Sequence, residues 1–191
     1  MHSTYIIMFF LLLFTTGWAE TNGPVGVLAN PGMETGDRLP EGWTIYQSPG
    51  TAAVFVWDKT TAYAGQRALH IRNEGPGSAS WLAECRVKEN CAYVLSARVK
   101  ITPGQSSFAM VDLWVRGSIM VAGKRQVWDF SGSEMADKKA EWKKLTLEFT
   151  TPPGAECMGV WLRSLNGKGD ELWFDDVELA EQTSAPPQDG K

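Results

Sequence analysis

Turn-forming residues recur along this chain at intervals too short for helices and well suited to strands. Asn30-Pro31-Gly32, Ser48-Pro49-Gly50, Gly75-Pro76-Gly77, Pro103-Gly104, Pro152-Pro153-Gly154 and Asn166-Gly167 break it into short runs. The runs are rich in Val, Leu, Phe and Trp and alternate with polar residues, which is a strand pattern. Expected strands are Val25–Ala29, Trp43–Gln47, Ala53–Asp58, Arg67–Asn73, Ser80–Val87, Cys91–Ile101, Ser107–Arg116, Arg125–Phe130, Glu141–Thr150, Glu156–Ser164 and Glu171–Ala180. Lys144–Thr150 shows the period clearly, with Leu145, Leu147 and Phe149 expected inward. Many short strands at this spacing predict an all-β fold, a two-sheet antiparallel β-sandwich or jelly roll. With 191 residues, one domain over 20–180 is expected.

Both ends of the chain are set apart. Residues 1–19 carry no Lys, Arg, Asp or Glu, and an apolar run from Tyr5 to Phe14 precedes Gly17 and Ala19. That is the layout of a signal peptide cleaved after Ala19, and it predicts a secreted protein, extracellular or periplasmic, with no membrane attachment after cleavage. An uncleaved anchor is the competing reading. The polar segment 181–191 is expected to be a disordered tail. A net charge of −4 argues against a nucleic-acid partner. Cys85, Cys91 and Cys157 allow at most one disulfide. His70 lies in a strand-like run with no nucleophile motif beside it, and no GxGxxG, P-loop, HExxH or GxSxG occurs.

Four segments, in order, resemble a CenC-type carbohydrate-binding module, the group embracing carbohydrate-binding families 4, 9 and 22. They are Leu28–Glu34 with Leu39–Trp43, Ala64–Ile71, Tyr93–Lys100, and a last one running from Trp142 through Phe149–Pro152 to Trp173–Leu179. Met33 stands where the family usually has an aromatic residue, and the stretch from Gly117 to Ala140 has no counterpart in its pattern. The resemblance implies a galactose-binding-like jelly roll that binds polysaccharide or oligosaccharide without catalysis, and association with a separate carbohydrate-active enzyme. It also implies a structural calcium ion (Ca2+) held by Glu34 and Asp175, with carbonyls of the Tyr63–Gly65 loop as partners. Calcium takes six to eight hard oxygen ligands, which carboxylates and carbonyls supply. The alternative is that both carboxylates are merely solvated.

Strand parity places the expected sugar-binding residues, since alternate side chains face opposite sides of a sheet. With Ala109, Val111, Leu113 and Val115 inward, Phe108, Met110, Asp112, Trp114 and Arg116 face outward. With Met158, Val160 and Leu162 inward, Trp161 and Arg163 face outward. Trp rings offer stacking faces for pyranose C–H edges, while Arg and Asp serve the hydroxyls. The competing reading is a Trp–Arg ladder in which guanidinium groups simply cover the indoles. Trp81 and Glu84 are expected beside the cleft, Trp57 and Trp128 at its rim, and Trp43 and Trp142 in structural positions, Trp142 opening a core strand. Two other functions remain open: a small jelly-roll glycosidase or polysaccharide lyase using Asp112 and Glu84, and a structural or adhesion domain without a sugar site.

Overall fold

The computed structural model describes residues 24–105, 109–136, 140–165 and 167–182. The expected signal peptide, the segment 183–191, Phe108 and Asn166 lie outside the described residues. Ten strands follow one another: β1 Trp43–Gln47, β2 Ala53–Asp58, β3 Ala68–Asn73, β4 Ser78–Arg86, β5 Ala92–Thr102, β6 Ala109–Val121, β7 Lys124–Ala136, β8 Ala140–Thr150, β9 Cys157–Leu165 and β10 Glu171–Glu181. They form two five-stranded antiparallel sheets, ordered β1-β4-β9-β6-β7 and β2-β3-β10-β5-β8. The fold is therefore the expected β-sandwich.

Alternation builds the core. One sheet turns Trp81, Val111, Leu113, Val115, Val160 and Leu162 inward, and the other answers with Leu69, Ile71, Leu95, Val99, Phe149 and Phe174. Each such side chain contributes roughly 1.5–3 kcal/mol by leaving water. A side-chain hydrogen bond crosses between the sheets where Asn73 Nδ2 donates to Ser164 Oγ at 2.5 Å.

Three expectations are corrected. Residues 25–29 form no strand, although Gly26 N–H bonds to the Arg86 carbonyl at 2.8 Å. β10 continues through Glu181, where Lys88 pairs with its carboxylate at 2.6 Å, so the ordered chain runs past residue 180. β6 and β7 make a hairpin longer than the alternation suggested, pairing as far as Val121 and Lys124 across a turn at Ala122-Gly123. Cys85, Cys91 and Cys157 are all free thiols.

Part of the outward side of the β2-β3-β10-β5-β8 sheet is covered by the loop after β2. Asp58 accepts from Thr60 N–H at 2.7 Å, Asp175 from Tyr63 and Ala64 N–H at 2.7 and 3.0 Å, and Glu34 from Gln66 and Arg67 N–H at 2.9 and 3.1 Å. Tyr63 then lies over the Arg98 guanidinium and edge-on to Trp142, 5.9 Å between centroids. Trp142 is thus half-buried on this outer side and absent from the core, which corrects its expected place at the start of a core strand.

On the same side His70 stacks flat on Trp173, 4.4 Å away, while the Trp173 indole donates to Asp58 at 2.9 Å. Burial holds the His70 imidazole below its ordinary value of 6.5, partly offset by the Glu171 and Asp58 carboxylates. The unfolded chain therefore takes up this proton first as pH falls below 6.5, and folding stability drops from there down to the lower native value. Denaturant melts between pH 8 and 5 are expected to show this loss. His70→Phe should flatten that part of the profile relative to the wild type; parallel profiles would disprove the assignment.

Candidate functional site

The opposite sheet, β1-β4-β9-β6-β7, presents its outward side chains in registered rows. Leu82 of β4 sits opposite Trp161 of β9, which sits opposite Trp114 of β6, with Ser131 of β7 beyond. On one side of this row come Tyr46, Ser80, Arg163, Asp112 and Ser133. On the other come Glu84, Gly159, Arg116 and Asp129. The parity reading for Asp112, Trp114, Arg116, Trp161 and Arg163 agrees with this register, and Glu84, expected beside the cleft, shares the same outward face.

Trp81 does not join them. It points into the core, fully buried, edge-on to Phe55 at 5.4 Å, with its indole donating to the His70 carbonyl at 3.3 Å. The reason is β4's own alternation, in which Ala79, Trp81, Ala83 and Cys85 face inward while Ser80, Leu82, Glu84 and Arg86 face outward. Trp57 and Trp128 are not rim residues either. Both pack against the core; Trp57 donates to the Met33 carbonyl at 2.6 Å under the Arg67 guanidinium, and Trp128 lies across Gly117. Trp43 is buried as expected.

The two outward indoles have different surroundings. Arg163 lies 4.1 Å from the Trp114 ring and Arg116 5.1 Å from it, both within cation–π range. Trp114 is therefore a rung of a Trp–Arg ladder. Arg163 is itself fixed by a charge-assisted hydrogen bond to Asp112, which is 1% exposed. Burial pushes the Asp112 carboxyl up, against the downward pull of that guanidinium. An ion pair of this kind is costly to break, because either partner alone is left as an uncompensated charge.

Trp161 has no guanidinium within cation–π range among the described residues; it meets Tyr46 edge-on at 5.0 Å and Trp114 obliquely at 5.2 Å. A Cβ built on Gly159 would stand 2.9 Å from Trp161 Nε1 and 3.0 Å from Leu82 Cδ1. The missing side chain thus lets the indole lie down over the β9 backbone, with Glu84 and Arg116 in the neighbouring row. Tyr46, Leu82 and Gly159 are site residues that sequence reasoning missed. The alternation Trp43-Thr44-Ile45-Tyr46, with Trp43 inward, carried the signal for Tyr46.

The sandwich itself recurs in solved structures. No family model matches the chain, and no curated relative does. The xylan-binding family 22 module of Paenibacillus barcinonensis Xyn10C superposes with a TM-score of 0.58 at 19% identity, over 85% of this chain and 99% of that one. A family 61 module solved with β-1,4-galactotriose gives 0.56 at 17% identity, over 84% and 100%. The chain has the fold of these carbohydrate-binding modules. A third similar structure, from Clostridium thermocellum, joins a family 22 module to a xylanase domain in complex with xylohexaose, with a TM-score of 0.53 at 16% identity over 78% of this chain and 28% of that one.

Glu34 and Asp175, expected from the same resemblance as metal ligands, reach one loop. Asp175 is buried at a bulge in β10, where Asp176 has φ 49°, and its carboxylate accepts N–H groups from Tyr63, Ala64 and Asp176. Burial pushes its carboxyl up despite these three donors. Glu34 uses Oε1 for the Gln66 and Arg67 N–H groups. No cluster of three or more His, Cys, Asp or Glu side chains suited to a metal forms among the described residues, so an ion here needs backbone carbonyls as well.

Proposed function

We propose that this chain is a secreted, non-catalytic carbohydrate-binding module whose polysaccharide or oligosaccharide ligand stacks on Trp161. The observation that carries this reading is the Trp161 indole laid over Gly159, with the Glu84 and Arg116 side chains in the next row. A pyranose stacked there has an apolar surface beneath it, a carboxylate acceptor to one side and a guanidinium donor to the other. Trp114 on β6 and the Asp112–Arg163 pair, which joins β6 to β9, support the platform. The ligands named for the similar structures, xylan and β-1,4-galactotriose, are of the same class.

The enzyme reading needs a free acid and base on this face. Asp112 is committed to Arg163 and buried, leaving Glu84 and Asp129 as the outward carboxylates of the described rows. A glycan array run beside reducing-sugar and unsaturated-product assays tests the choice. Binding without turnover is expected. Turnover by pure protein that vanishes in Glu84→Gln would favour the enzyme, and neither binding nor turnover would favour a structural or adhesion domain. Export with cleavage after Ala19 is part of the proposal, and a secreted product whose first residue is Glu20 is the expected result. Association with a separate carbohydrate-active enzyme fits a module lacking its own catalytic site.

We also propose a structural calcium ion at the Tyr63–Arg67 loop, held by Glu34, Asp175 and loop carbonyls. Support comes from two carboxylates on distant segments converging on one short loop, with Glu34 Oε2 receiving no hydrogen bond among the described residues. When bound, calcium supplies charge compensation for both carboxylates. An ion bound only by the native state at about 100 times its Kd stabilises by roughly 2.7 kcal/mol. Chelator is therefore expected to lower the melting temperature of the wild type, and Asp175→Ala, already destabilised, should no longer respond. A wild-type melt indifferent to chelator would dismiss the ion.

A further inference from the structure

We propose that the cleft adjoining Trp161 receives the acetyl group of an acetylated glycan; this rests on reading the outward face as a sugar platform. The cleft has a volume of about 490 Å³. Its floor is the outward side of β1 and β4, with Thr44, Leu82, Glu84 and Arg86, and its wall is the segment Val27–Ala29. That wall is held in place by the Gly26 N–H bond to the Arg86 carbonyl.

The cleft and the platform share a side chain. Leu82 lines the cleft and is the direct cross-strand partner of Trp161, and both side chains lean toward the bare backbone of Gly159. A sugar stacked on Trp161 therefore has its edge one side chain from the opening. An undecorated ring presents its polar rim of hydroxyls along that edge. Pressing hydroxyls against Val27, Leu28, Ala29 and Leu82 strips their water without replacing it, at the cost of unsatisfied polar groups. An acetyl substituent matches the lining better. Its methyl meets the aliphatic wall, and its carbonyl oxygen accepts from the exposed Arg86 guanidinium. Glu84, two residues away on the same face and so about 7 Å along the strand, accepts from a neighbouring hydroxyl or, in an N-acetyl sugar, from the amide N–H. Burial pushes the Glu84 carboxyl up, in keeping with its place beside this apolar wall.

The shared chemistry is the acetyl group, and its source is an O-acetyl ester or an N-acetyl amide. Calorimetry with the purified chain separates them. Each polysaccharide that binds in the array is compared in O-acetylated and alkali-deacetylated form, alongside chitohexaose and its fully deacetylated counterpart. One burial of a methyl together with one hydrogen bond predicts about tenfold tighter binding of the acetylated member in one of these comparisons. Val27→Trp, at a position that is 52% exposed, fills the cleft and should bring the acetylated member down to the affinity of its deacetylated partner. Ala29→Leu offers the same block from the next position along the wall, so a folding defect in one variant leaves the other informative. Equal affinities within every pair would overturn the acetyl site while leaving the platform intact, as would a preference that survives both variants. Failure of every glycan to bind, in either form, would remove the platform reading itself and the acetyl site with it.

Discussion

Trp161→Ala is expected to weaken glycan binding by at least about 2 kcal/mol, close to 30-fold, while the melting temperature barely moves. Its ring lies on the outward face, so truncation opens no core cavity, and outward substitutions usually stay within about 0.5 kcal/mol of wild-type stability. Trp114→Ala should act differently. That ring stacks with Arg163 and Arg116, so its loss removes the stacking partner of both guanidinium groups and weakens binding indirectly. Arg163→Ala strands the buried Asp112 carboxylate and is expected to destabilise as well as weaken binding, whereas Arg116→Ala should affect binding alone. A strong salt dependence would point to an anionic glycan. Titration calorimetry paired with thermal melts separates these patterns. A Trp161→Ala protein that binds like the wild type would remove Trp161 as the anchor.

The largest stability effect is expected at Trp81. Trp81→Ala should cost about 3–5 kcal/mol, because it empties the centre of the sandwich and leaves Phe55 without its edge contact. Trp142→Ala should cost clearly less, since its ring covers Tyr63 on the outer side of the other sheet. Denaturant midpoints at constant slope measure both. A Trp81→Ala loss no larger than that of Trp142→Ala would contradict the placement of Trp81.

Much of the fold can be read from turn chemistry and period-two alternation, and the outward placement of Trp114, Arg116, Trp161 and Arg163 follows from parity alone. Trp81 eluded that reading although its strand held the answer. Glu84 and Arg86 mark the polar parity, and Trp81 falls on the other one. Trp142 eluded it in the same way, because the inward set Leu145, Leu147 and Phe149 puts residue 142 outward. The difference between Trp114 and Trp161 was not legible. It depends on which neighbouring strand lends a guanidinium and on the bare backbone of Gly159, and both are consequences of sheet order. Strand order is set by long-range pairing, which the local pattern does not encode. The same holds for the cleft, whose wall and β4 floor residues are more than 50 residues apart in sequence.

The proposed platform spans β4, β9 and β6, the three inner strands of a five-stranded sheet, drawn from residues 78–86, 157–165 and 109–121. No contiguous fragment shorter than about half the protein contains all three, so a proteolytic piece has no means of retaining sugar affinity. The newly made chain cannot acquire it before β9 has emerged and inserted between two strands made earlier. On that proposal, retention on a polysaccharide column would select for molecules that have completed their topology, and elution from such a column would double as an assay of correct folding.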